Sequence, residues 1–217
     1  WVAAGVVAEK SSRVMEMLIS AASPRQLVLG KVVGIGLAGA TQVAIVLTPA
    51  ILVLLLEDRI STLLLGPSAG IAPSLSALTP TLLLAFLVYY VLGFALYALI
   101  YAAAGSLVSR PEDLQIIALP LSLIAILGYL QAILALTGGI TWFIRVASYV
   151  PFWSPFVMLT RLSVGRVAPM EVVVSVAILL VTILVTAVIA VRIYGAGVLL
   201  YGQRPGVRAY VTAARKG

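Results

Sequence analysis

"VVGIGLAGAT", Val32 to Thr41, supports two readings that lead to different folds. Gly34, Gly36 and Gly39 spell G-x-G-x-x-G, the turn that cradles a dinucleotide pyrophosphate, and Glu57 and Asp58 follow about 20 residues on, where a ribose-binding acid is expected. That reading needs Val32 and Val33 to end a strand and a soluble helix to follow the glycines. The next residues, "ATQVAIVLTPA", offer only Thr41, Gln42 and Thr48 as polar side chains, so such a helix would have no wet face. Lys31 on one side and Glu57-Asp58-Arg59 on the other bracket 25 uncharged residues. At 1.5 Å rise each, that length crosses a hydrocarbon core of about 30 Å with some tilt. The glycines then become close-packing positions on a membrane helix.

The rest of the chain agrees. Of 217 residues, 63% are hydrophobic and 10% charged, against roughly 45–50% and about 25% in a soluble domain. The apolar residues are concentrated: no Asp, Glu, Lys or Arg occurs in 32–56, 60–109, 114–144 or 172–191. The expected crossings are 32–56, 81–108, 114–136 and 172–192. "WVAAGVVA" is too short to span and reads as the last turns of a transmembrane helix whose start is missing. No charged region precedes it as in a signal peptide.

Prolines punctuate the helix starts, where a missing N–H costs nothing. Ser23-Pro24-Arg25-Gln26 fits an N-cap, an N1 proline and a capping-box glutamine; Thr79-Pro80, Ser154-Pro155 and Ala168-Pro169 are similar, and Ser109-Arg110-Pro111-Glu112 is another S-x-x-E box. Between the third and fourth crossings, 137–171 is too broken by Arg145, Pro151, Pro155 and Arg161 to span twice. Its Trp142, Phe143, Tyr149, Phe152, Trp153 and Phe156 resemble an interfacial aromatic belt, so a short helical hairpin on the outer face is expected. No internal repeat is seen, which leaves an inverted-repeat transporter unsupported.

Charge sets the orientation. Placing residues 9–31 in the cytoplasm puts Lys10, Arg13, Arg25, Lys31, Arg110, Arg192, Arg204, Arg208, Arg215 and Lys216 inside, and Arg59, Arg145, Arg161 and Arg166 outside. Ten of the fourteen basic residues on one side is the positive-inside bias. The net charge of +7 therefore orients the chain in a lipid bilayer; without a basic face interleaved with exposed aromatics, nucleic acid is not an expected partner.

Much chemistry is excluded. There is no Cys and no His, which removes thiolate nucleophiles, His-based triads and most zinc or haem sites. No G-x-x-x-x-G-K-[ST] occurs: Gly30-Lys31 is followed by Val32. No acid or Lys lies within a crossing, so ion coupling lacks its usual residues. For an intramembrane enzyme only a Ser/Lys pair would remain, with Lys31 as the one lysine near a helix mouth. No catalytic, metal or cofactor site is expected.

The stretch "AEKSSRVMEMLISAASPRQ" places Glu9, Arg13 and Glu16 at i, i+4 and i+7 on one helical face, with Val14, Leu18 and Ala21 on another. This is an amphipathic helix beside the membrane. Its charges either simply face water or meet a partner, and a face of mixed sign suits a protein better than an anionic lipid surface. In the second crossing Tyr90, Phe94, Tyr97 and Tyr101 make one stripe at i, i+4, i+7 and i+11, beside small residues Ala98, Ala102 and Gly105. Helix packing explains both stripes; the alternative is that the aromatics line a route for an amphipathic substrate. Gly30 and Gly34 also give G-x-x-x-G.

"EKSSRVMEMLISAASPRQLVLGKVVG" resembles the segment typical of membrane subunits of type-2 ATP-binding-cassette exporters, the NatB-like permeases. The resemblance continues in "SLVSRPEDLQ" and "VPFWSPFVMLTRL" and ends at Val191, Arg192, Ile193, Tyr194, Gly197, Leu199, Tyr201, Gly202, Arg204 and Pro205. Members carry an earlier transmembrane helix and an extracellular domain, so this chain would be the C-terminal part of such a subunit. The resemblance implies an all-α polytopic membrane protein with four full transmembrane helices, the end of a preceding one, a cytoplasmic coupling segment at 9–31, a re-entrant or interfacial hairpin at 137–171 and a cytoplasmic tail at 193–217. It implies contact with an ATPase subunit through Glu9, Lys10, Arg13, Glu16, Ser23, Pro24 and Arg25, and through a second turn at Arg110, Pro111, Glu112 and Asp113. It makes Pro151, Phe152, Trp153, Ser154 and Pro155 an outer gate. ATP and Mg would be held by that partner and not by this transport subunit, a second permease copy, homo- or heterodimeric, would complete the path, and the site would be the plasma membrane with the C-terminus cytoplasmic. The alternative function is a passive channel or secondary transporter without an ATPase partner.

Overall fold

The structure, a computed structural model, describes residues 2–10, 17, 21–56, 79–108, 111–165 and 167–199. The described residues form helices joined by turns, with no strand among them. α1 is Val2–Lys10, α2 Pro24–Leu55, α3 Pro80–Leu107, α4 Leu114–Thr137, α5 Trp142–Ala147, α6 Ser154–Ser163 and α7 Pro169–Leu199. Four helices, α2, α3, α4 and α7, are long and apolar enough to cross a membrane. The protein is thus polytopic and all-helical.

Local chemistry sets the starts. At Ser23 the full capping box is present: the hydroxyl accepts from the Gln26 N–H, Gln26 reaches back to the Ser23 N–H at 2.9 Å, and Pro24 fills N1. α2 therefore begins eight residues before the uncharged run at Val32, and Lys31 lies within the helix instead of opening it. Thr79 caps α3 by accepting from Leu82, with Pro80 following. The frame at Ser154-Pro155 differs from expectation: Trp153 is the cap residue, without a side-chain cap bond, and Ser154 already belongs to α6. Ser109 and Arg110 lie outside the described residues, as do Val14 and Leu18; before α4 the chain forms a 3-10 turn, Pro111–Asp113. Pro120, inside α4, removes one helical N–H and its bond to the carbonyl four residues back.

α3 is the centre, packed chiefly on α7 and α1 and also on α6 and α2. One end gathers Val2, Val6, Val28, Ala98, Leu99, Ala102, Ala190 and Tyr194 into a buried cluster. Towards the other end Tyr89, Leu96, Met158 and Leu179 form a second cluster, and Ala135, Ile144, Ala147 and Val157 a third beneath the α5–α6 hairpin. Elsewhere α2, α4 and α7 present large apolar side chains outward, Ile45, Ile116 and Leu184 among them. Surface of this kind suits hydrocarbon as its surroundings.

Candidate functional site

At the first end, α1 runs so close to α3 that a Cβ on Gly105 would meet the Ala3 carbonyl oxygen at 2.8 Å. The small stripe of Ala98, Ala102 and Gly105 is therefore the groove that receives α1. Glu9, at the close of α1, forms an ion pair at 2.5 Å with Lys31, whose side chain is only 10% exposed. Tyr194 of α7 is buried beside this pair, and Pro24 lies against Gly195.

The residues expected to meet an ATPase subunit divide as follows. Glu9 turns to Lys31; Ser23 is occupied as a cap; Pro24 and Arg25 are exposed on the first turn of α2. Glu112 and Asp113 are exposed in the short turn that begins at Pro111. Arg13, Glu16 and Arg110, and the side chain of Lys10, lie outside the described residues. α1 touches the Pro111–Asp113 turn, so the ends of α1, α3 and α7 and the starts of α2 and α4 meet around this end.

The aromatic stripe on α3 is shared among three neighbours. Phe94 and Tyr90 face α2, where a Cβ would come within 2.9 Å of the Phe94 ring at Gly36 and 3.2 Å of the Tyr90 hydroxyl at Gly39. Two of the glycines in the opening stretch thus admit aromatic rings from α3, whereas Gly34 and Gly30 have nothing within 4 Å. Tyr97 donates to the Phe152 carbonyl at 2.8 Å, and Tyr101 hydrogen-bonds Ser122 of α4 at 3.0 Å. All four rings remain half-buried.

The 151–155 turn is fastened on every side. Besides the Tyr97 bond, the Trp153 indole N–H donates to the Ile124 carbonyl of α4 at 3.0 Å. Pro155 fills the space over Gly93, where a Cβ would meet its Cγ at 2.9 Å, and Trp153 and Phe156 close over Gly128. Arg161 of α6 is 3% exposed; one guanidinium nitrogen donates to the Ser148 hydroxyl at 2.7 Å and the other pairs with Glu171 of α7. Tyr149 donates to the same carboxylate at 3.1 Å, and Ser175 donates to the Ser148 carbonyl at 3.0 Å. Burial and the neighbouring Glu171 hold the Tyr149 phenol above its ordinary pKa. Of the expected aromatic belt, Trp142 and Phe143 point outward, edge to face, while Tyr149, Phe152, Trp153 and Phe156 turn inward.

Sequence reasoning missed the Arg161–Glu171 pair, the Glu9–Lys31 pair and the clearances at Gly93 and Gly128. For the glycines a signal existed, since small residues in apolar helices mark close approach. An apolar cleft of about 520 Å³ also opens between α3, α4 and α7, lined by Ile100, Leu107, Ile117, Pro120 and Ile189 among others.

Residues 2–192 match the family model described as ABC-2 family transporter protein. The chain belongs to this family. Among curated proteins it is similar to the uncharacterized protein YhaP of Bacillus subtilis, 37% identical over 214 residues, which are 99% of this chain and 50% of that protein. It is also similar to the uncharacterized protein MJ1024 of Methanocaldococcus jannaschii, 27% identical over 202 residues, 93% of this chain and 46% of that protein. The chain spans about half the length of both. No solved structure matches it. As an ABC-2 transporter family member with four apolar spans, it is a multi-pass, permease-type membrane chain of the ABC class.

Proposed function

We propose that this chain forms the substrate path of a NatB-like ABC exporter and is driven by ATP hydrolysis on a separate cytoplasmic subunit, with two permease copies enclosing the path. The observation that carries this reading is the family match, which runs from α1 through the charged 9–31 stretch and all four spans. The charge distribution supports placing 9–31 and the Pro111–Asp113 turn in the cytoplasm, and the hairpin on the outer face of the plasma membrane. Residues 9–31 are then the coupling segment, with Arg13, Glu16, Arg25, Glu112 and Asp113 offered to the ATPase subunit. ATP and Mg belong to that subunit. Tyr90, Phe94, Tyr97 and Tyr101 border the path on α3, the exposed parts of their rings giving a cargo apolar surface while the hydroxyls of Tyr97 and Tyr101 are held inside the chain.

The test is co-expression of the protein with a Walker-A ATPase subunit sought among the reading frames adjacent to its own. A stable complex is expected, and Glu16→Arg is expected to lower the recovered ATPase or its stimulation by the permease. Equal recovery and equal stimulation would remove Glu16 from the contact. Substrate flux in proteoliposomes lacking any ATPase would favour a channel or secondary transporter.

A further inference from the structure

Glu9 and Lys31 are 22 residues apart in the chain, and the stretch between them is the coupling segment of the reading above, on which this inference rests. Lys31 lies six residues beyond Arg25 in α2, about 9 Å deeper along the axis. An ammonium at that depth, almost shut off from solvent, is costly unless paired. Its partner is the carboxylate at the end of α1, and its head rests along α1 from Gly5 to Glu9: a Cβ on Gly5 would lie 3.5 Å from Nζ.

The packing makes this pair unusual in its surroundings. α1 is seated on α3, backbone against backbone at Gly105, and touches α2 only lightly. A push on the segment between them reaches α1 by the covalent chain at Glu9-Lys10, α3 through its packing on α1, and α2 by the covalent chain at Ser23-Pro24. Without a tie, the same push can spread α1 from α2 and do nothing else. We propose that the Glu9–Lys31 ion pair closes the base of the coupling segment, so that α1 and α2 move as one body during the ATP cycle, and that Lys31 is a positioning residue for coupling. Separating them would leave the Lys31 ammonium, its side chain 10% exposed, without its carboxylate.

The experiment uses the full-length protein in nanodiscs with its ATPase subunit, spin-labelled at Ala4→Cys and Leu29→Cys, both exposed positions in a chain that has no cysteine. In the otherwise unsubstituted complex the distance between the labels is expected to be the same without nucleotide and trapped with ATP and vanadate. In E9Q/K31M, which removes both charges of the pair, the ATPase should still co-purify and hydrolyse ATP, but the distance distribution should shift on trapping. The exchanged pair E9K/K31E should restore the invariant distance. A distance in E9Q/K31M that stays invariant, that widens equally with and without nucleotide, or a variant that fails to fold, would each mark the pair as a purely structural tie and overturn the inference. If no ATPase co-purifies with the unsubstituted protein, the permease reading itself falls, and this inference with it.

Discussion

Gly105 and Gly34 are both glycines in apolar helices, and what surrounds each separates their roles. A methyl group at Gly105 would meet the carbonyl oxygen of Ala3 at 2.8 Å, and backbone cannot step aside as a side chain can. Gly105→Ala is therefore expected to lower stability by about 1–3 kcal/mol, read as a fall in melting temperature of the purified chain in detergent. Gly34 has nothing within 4 Å, so Gly34→Ala should be neutral or gain up to about 1 kcal/mol from helix propensity. Arg161 allows a similar contrast. Its side chain is 3% exposed, while that of Glu171 is 32% exposed. Glu171→Leu leaves a buried guanidinium without its carboxylate and should cost about 3–5 kcal/mol. Arg161→Met leaves the more exposed partner and should cost less, and the double substitution should recover most of the loss in the same melting experiment.

At the scale of elements, the hairpin is held to all its neighbours at once: to α3 by Tyr97 and Gly93, to α4 by Trp153 and Gly128, and to α7 by Arg161. The outer gate proposed at 151–155 would then open by moving whole chains apart, not by lifting the hairpin from its own bundle. Cysteines at Gly93 and Pro155 would start with Cβ positions 3.0 Å apart, short of the roughly 3.5–4.5 Å of a disulfide, so α3 and the hairpin must part by about half an ångström to form the bond. Oxidising G93C/P155C should leave ATP hydrolysis by the assembled complex at the level of its reduced form; inhibition reversed by reductant would mean that the hairpin moves within the chain. How far these features were readable follows from the medium. The spans and the caps at Ser23 and Thr79 are local and could be read directly. Which face of α2 or α4 is buried could not be, because lipid and protein interior are both apolar and leave no amphipathic period to read. The misplaced cap at Ser154-Pro155 has a long-range cause: Trp153 is fixed by the Ile124 carbonyl, 29 residues away. The pairs Glu9–Lys31 and Arg161–Glu171 join different helices, and no spacing rule along the chain announces them.

For the whole molecule, the two charged pairs lie at opposite ends of the bundle, Glu9–Lys31 beside the proposed coupling segment and Arg161–Glu171 at the hairpin. α3, with 28 residues, joins them, a length of roughly 40 Å at 1.5 Å per residue. It meets α1 through Gly105 at one end and the hairpin through Tyr97 and Gly93 nearer the other, and α7 likewise reaches both ends, with Tyr194 beside the first pair and Glu171 in the second. A displacement imposed at the first end has α3 and α7, packed on each other, as direct routes to the second. This assignment depends on which end faces the cytoplasm, and the positive-inside bias predicts the answer. Met17 in the proposed coupling segment and Trp142 on the hairpin are both strongly exposed, at 65% and 76%. In intact cells carrying the protein in a background without other reactive thiols, a membrane-impermeant maleimide should label Trp142→Cys directly and Met17→Cys only after permeabilisation. The reverse pattern would place the hairpin in the cytoplasm and remove residues 9–31 from the reach of any cytoplasmic ATPase, because the helices between the two sites are too long and too apolar to leave both on one side.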